Sequence, residues 1–90
     1  MDQLRRAIAA FAQPFPPPVN AYQAEHYLNV AAALRDYAAR VPTGTIASFL
    51  TWSKDRLASE WGGPAKRLVA AQTRAKLERI AAGADNLSPA

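Results

Sequence analysis

The sequence predicts an all-α fold, a small four-helix domain with a proline-rich crossover between the first and second helices, and three observations point to it. Of the 90 residues, 50% are hydrophobic; 21 of these 45 are alanine, the strongest helix former, against only seven strand-favouring valines and isoleucines. The larger apolar residues recur at steps of three and four, which is helical periodicity. Proline and glycine clusters fall between those runs, where helices must stop. A chain of this length makes one domain that buries about two thirds of its unfolded surface, so every large core side chain counts. Residues 1–83 are expected to form that domain, with the linker at 13–19 inside it and 84–90 as a flexible tail.

The first helix is expected over Met1 to Gln13, where Leu4, Ala7, Ile8 and Phe11 make one face and Arg5 and Arg6 turn away from it. Pro14-Phe15-Pro16-Pro17-Pro18 fixes φ at four of five positions, so this stretch is read as stiff and extended. Asn20 is a good N-cap, with Gln23 completing a capping-box-like pair and Val19 as a staple. Tyr27, Val30, Leu34, Tyr37 and Val41 then form the stripe of the second helix, flanked by Ala24, Ala31 and Ala38, and Asp36 can pair with Arg40 at i,i+4. Pro42-Thr43-Gly44 ends that helix, and Thr43 or Thr45 caps the next. The third helix is expected from about Thr45 to Trp61 on the stripe Ile46, Phe49, Leu50, Leu57 and Trp61, closed by Gly62-Gly63. Pro64 suits the first turn of a fourth helix, which runs to about Ala82, buries Val69, Thr73, Leu77 and Ile80, and ends at Gly83.

Composition excludes several functions. Without cysteine there is no disulfide framework, thiol nucleophile or thiolate metal site, and a single histidine makes a histidine-based zinc site a poor fit. No apolar run approaches the roughly 18 residues that span a bilayer. The expectation is a cytoplasmic protein with no metal and no cofactor. The formal charge is +4, and the excess is C-terminal: four basic and three acidic residues precede Thr45, seven basic and four acidic follow it. Between 64 and 79, Lys66, Arg67, Arg74, Lys76 and Arg79 face only Glu78, a cationic helix able to meet phosphates or an acidic protein.

Residues 54–73 resemble the helix-turn-helix of small DNA-binding regulators. Ala58 supplies the small residue inside the first helix and Gly62 the turn glycine four residues on, while Leu57, Trp61, Leu68 and Ala71 supply apolar positions that lock the two helices. Gly63 departs from the pattern, standing where a branched apolar residue is usual. The resemblance implies a dimer with the fourth helix in the major groove and Lys66, Arg67, Gln72 and Arg74 on DNA. Its lock buries Leu68 and Ala71, in conflict with the stripe through Val69. Trp61-Gly62-Gly63 is also similar to the turn of the WXG secreted helical hairpins, although Pro42 to Gly44 breaks what would be their long first helix.

Trp52 falls off the third helix's stripe, and Arg56 one turn later can cover its ring, the composition of an interaction hot spot; packing against the first helix or the prolines is the alternative. Tyr22, His26, Asn29, Ala33, Tyr37 and Arg40 share an edge of the second helix, where a lone histidine without nucleophile or carboxylate is read as structural or solvated. Leu68, Ala71, Ala75 and Ala82 form a smooth strip fit for close helix packing, whether internal, in a homodimer or on a partner. No phosphate loop, acid pair or nucleophile-base arrangement appears, so no enzyme and no catalytic residue is expected. The leading expectation is a small inhibitor or adaptor, of the kind carried by bacterial phages and plasmids. It would occlude a larger protein with an acidic surface through Trp52, Arg56, Lys66, Arg67 and Arg74. The DNA-binding regulator on double-stranded DNA is the alternative.

Overall fold

A computed structural model describes residues 3–14, 17–61 and 67–83 of the chain. The architecture is all-α: α1 (Gln3–Ala12), α2 (Ala21–Arg40), α3 (Ile46–Arg56), the single-turn α4 (Ala58–Trp61) and α5 (Arg67–Ala81). Four helices of ten residues or more thus carry the fold, as expected. The expectations for Phe15 and Pro16, for the turn from Gly62 to Lys66 and for the tail from Ala84 lie outside the described residues. Among those described, no helix is long and apolar enough to cross a membrane.

Local chemistry sets most of the helix ends. Asn20 adopts an extended backbone and its side chain accepts the Gln23 amide at 2.7 Å, while the Gln23 side chain accepts the Val19 amide at 2.9 Å. Thr45, not Thr43, caps α3 in a full capping box: its hydroxyl accepts the Ser48 amide, and the Ser48 hydroxyl oxygen accepts the Thr45 amide. Gly83 takes φ +92° and closes α5 by donating to the Ile80 carbonyl. In the α2–α3 turn, a Cβ on Gly44 would come within 2.8 Å of the Tyr37 ring and 3.0 Å of the Val41 carbonyl, so the turn packs this closely because the residue has no side chain.

The core joins Leu4, Ala7 and Phe11 of α1 to Val30, Ala31, Leu34 and Tyr37 of α2, Ile46 and Phe49 of α3, and Leu77 and Ile80 of α5. α1 lies chiefly along α2, and its first turn is tied to two other helices. The Gln3 side chain accepts the Ile46 amide at the start of α3, and Arg6 donates to the Ile80 carbonyl near the end of α5. The first tie satisfies an amide that a helix start leaves without an internal partner, and the second adds a donor to a carbonyl that also accepts the Gly83 amide. Val41, placed on the α2 stripe by its spacing, is exposed because the helix has ended one residue earlier.

One element differs from the sequence reading. The single helix expected from Thr45 to Trp61 breaks at Leu57, which caps α3 with its amide on the Ser53 carbonyl. Neither glycine nor proline stands between Thr45 and Trp61. The break coincides with buried tertiary partners for two α4 side chains: Glu60 reaches α2, and the Trp61 indole N–H donates to the Ser53 hydroxyl at 2.9 Å.

Candidate functional site

His26, on α2, has zero exposure. Its Nδ1 is 2.8 Å from Glu60 Oε1, and its Nε2 is 2.7 Å from the Thr73 hydroxyl. A carboxylate accepts only, so Nδ1 carries a proton and donates to Glu60. Asn29 donates to the second Glu60 oxygen at 3.1 Å, and the Trp61 ring stands edge-on to the imidazole. The sequence reading left His26 without a nucleophile or a carboxylate. Folding supplies both, from 47 and 34 residues away.

Hydroxyl, imidazole and carboxylate stand in the order of an acyl-transfer relay. Thr73 and His26 are nonetheless both fully buried, so no substrate carbonyl reaches the hydroxyl in this conformation. What the arrangement does is fasten α2, α4 and α5 together through satisfied polar groups, which is what a buried polar cluster requires. Among the described residues no group of three or more histidines, aspartates or glutamates is placed to hold a metal ion.

The Glu60 end of this network opens onto a groove of about 440 Å³ between α2 and α3–α4, lined by Asn29, Ala32, Ala33, Asp36, Trp52, Arg56, Leu57 and Glu60. The walls run antiparallel, since Asp36 faces Arg56 and Asn29 faces Glu60. Trp52 is half-buried, not free, and its ring packs on Tyr37 of α2 and Phe49 of its own helix. Its ring centroid is 5.0 Å from that of Tyr37 and 6.0 Å from that of Phe49. Tyr37 is held in turn by a hydrogen bond from its hydroxyl to Ser48. The Arg56 guanidinium lies 4.9 Å from the Trp52 ring centroid, the i,i+4 cover that the spacing predicts. Asp36 pairs with Arg40 at 3.1 Å, also as expected, and meets Arg56 at 3.9 Å.

The basic residues named from sequence do not join this groove. Arg67, Gln72 and Arg74 are exposed on α5, with Arg74 over the Trp61 ring at 5.4 Å, and Lys66 lies outside the described residues. Of the positions that would lock a helix-turn-helix, Leu68 is 70% exposed and Ala71 is exposed, while Leu57 and Trp61 are half-buried against the core; Ala58, the small residue of the pattern, is exposed. α5 buries Ala70, Thr73, Lys76, Leu77 and Ile80, so three of the four expected stripe residues are buried while Val69 is half-buried; of the smooth strip, Leu68, Ala71 and Ala82 are exposed and Ala75 is half-buried.

Lys76, counted from sequence among the outward bases of a cationic helix, is buried instead. It is 7% exposed, its ammonium sits 5.2 Å from the Phe11 ring centroid and 5.3 Å from that of Tyr27, and no hydrogen bond or ion pair holds it among the described residues. Burial first, and the neighbouring Arg79 charge second, lower its pKa from the ordinary 10.5, while burial raises the Tyr27 phenol above its ordinary 10.0. The unfolded chain therefore keeps the Lys76 proton to higher pH than the folded protein, and stability rises with pH between the lowered value and 10.5. Tyr27 acts oppositely: above 10.0 the unfolded phenol ionises first and stability falls. Urea denaturation from about pH 8 to about pH 11 should trace a rise followed by a fall. Lys76→Met should remove the rising limb; a limb that persists in this variant would assign it to another group.

Signals for the missed partners were present but weak. Thr73 falls on the expected buried stripe, and a buried hydroxyl needs a hydrogen-bond partner; Glu60 sits between Leu57 and Trp61, where an outward position was not assured. The chain matches no protein-family model, no curated protein and no solved structure.

Proposed function

We propose that this protein acts by binding, as a small inhibitor or adaptor of the phage or plasmid kind that occludes a larger cytoplasmic protein, with the Trp52–Arg56 wall of the α2/α3 groove at the centre of the contact. The observation that carries the reading is that Trp52 is braced by Tyr37 and Phe49, covered by Arg56 and set on an open groove. A half-buried aromatic held in one place loses little conformational freedom on binding, which is why such residues dominate interfaces. The absence of catalysis belongs to the same proposal, since the relay that could support it is sealed. The exposed Arg67 and Arg74 would meet acidic groups outside the groove.

The test places a photo-crosslinking residue at Ala32 in the groove or at Ala71 on α5, in the native host. Crosslinks to a defined protein are expected from position 32. Trp52→Ala should weaken that partner's binding by about 2 kcal/mol, a factor of about 30, while Arg67→Ala with Arg74→Ala weakens it less. Full binding in folded Trp52→Ala would overturn the reading.

A DNA-binding regulator is the second reading, favoured by one observation: Arg67, Gln72 and Arg74 are all exposed on one helix. Binding to a random DNA duplex is tested at low salt, where counterion release favours a basic protein most. No binding there would remove it.

A further inference from the structure

We infer that the groove takes an amphipathic segment of the partner that carries a carboxylate side chain, seated with its apolar part over Trp52 and Leu57 and its carboxylate on Arg56. The inference rests on the occlusion reading and names the chemistry of what is occluded. Arg56 is exposed and its guanidinium lies over the Trp52 ring at 4.9 Å, yet it makes no hydrogen bond among the described residues. Its nearest carboxylate oxygen, Asp36 Oδ2, is 3.9 Å away, beyond hydrogen-bond reach, and the other Asp36 oxygen is already taken by Arg40 at 3.1 Å. Asp36 thus faces two guanidiniums, which leaves one positive charge uncompensated at this end of the groove. A guanidinium held against a ring with its N–H groups unbonded can grip a carboxylate with two parallel hydrogen bonds.

The rest of the groove decides what kind of molecule brings that carboxylate. Ala32, Ala33 and Leu57 offer an uncharged middle. At the far end Glu60 is nearly buried and committed to His26 and Asn29, so it is not a free ligand. An anion is therefore favoured at the Arg56 end alone. A nucleic-acid strand, with a charge at every repeat, would set its other phosphates along the uncharged middle. From Asn29 to Asp36 the α2 wall is about 10 Å long at the helical rise, room for two turns of a partner helix.

The test is an NMR titration of the isotope-labelled full chain with three helical peptides, each carrying two leucines one turn apart and ending in glutamate, glutamine or lysine at the position beyond them. The glutamate peptide should shift the Trp52 indole N–H and the Arg56 Nε–H and bind about tenfold more tightly than the glutamine peptide. Arg56→Gln, at an exposed position that leaves the fold intact, should erase that advantage, and Arg56→Lys should restore part of it because the charge returns without the fork. Equal binding of the glutamate and glutamine peptides, or tighter binding of the lysine peptide, would overturn the inference. In either case, binding that is still lost in Trp52→Ala leaves the occlusion reading standing. No shift at Trp52 with any of the three counts against both.

Discussion

Replacing Glu60 by alanine should destabilise the fold by about 3–5 kcal/mol, because it strips a buried acceptor from two groups, of which His26 has no alternative. His26 Nδ1–H and the Asn29 amide both donate to this carboxylate, and His26 has no exposure through which water could replace it. For a small domain that is a large share of a total of about 5–15 kcal/mol. Glu60→Gln keeps an acceptor oxygen and should cost less, about 1–2 kcal/mol; Thr73→Val, which leaves Nε2 without its hydroxyl, should cost about 1–3 kcal/mol. Since His26 bridges the two partners, the Glu60 and Thr73 losses should not add, and a double-mutant cycle in urea reads the difference as a coupling. A loss below about 1 kcal/mol for Glu60→Ala would mean that the network is not what fastens α4. The same substitution frees the far end of the groove, so partner crosslinking at position 32 should weaken even in the folded fraction.

Phe11→Ala is the other large effect, again about 3–5 kcal/mol, through a different mechanism. Phe11 is fully buried, meets the Tyr27 ring edge-on at 5.2 Å and carries the Lys76 ammonium against its ring. Truncation removes apolar burial and enlarges the neighbouring recess of about 170 Å³, which Phe11 lines with Ala12, Pro14, Pro18, Ala24, Tyr27 and Leu28. It also leaves Lys76 with one ring in place of two. Phe11→Leu fills most of the space and should cost about 1 kcal/mol or a little more. Urea denaturation of both variants checks the ranking. If Phe11→Ala cost no more than Phe11→Leu, the site would be collapsing around the gap and the recess would close.

The two mechanisms divide the molecule in a way that bears on function. Phe11 belongs to the apolar side, where α1 lies on α2, and its loss should leave Trp52 and Arg56 in place in the molecules that remain folded. Glu60 belongs to both the core and the groove. A variant that separates stability from binding is therefore best sought at Arg56, which is exposed, and not at Glu60, which is buried.

What the sequence by itself determined are the features whose partners lie within about one helical turn. Asn20 with Gln23, Asp36 with Arg40 and Trp52 with Arg56 all meet as their spacing requires, because a helix places i+3 and i+4 neighbours together whatever surrounds it. The all-α class and the buried stripe through Thr73, Leu77 and Ile80 follow from the same periodicity. Tertiary structure alone decided the break at Leu57, the exposure of Leu68 and Ala71, the burial of Lys76 and the meeting of His26 with Glu60 and Thr73 across 34 and 47 residues. Periodicity gives each helix a face but not the angle and height at which two helices cross. A buried hydrogen bond of 2.7 Å depends on that crossing to within a fraction of an ångström.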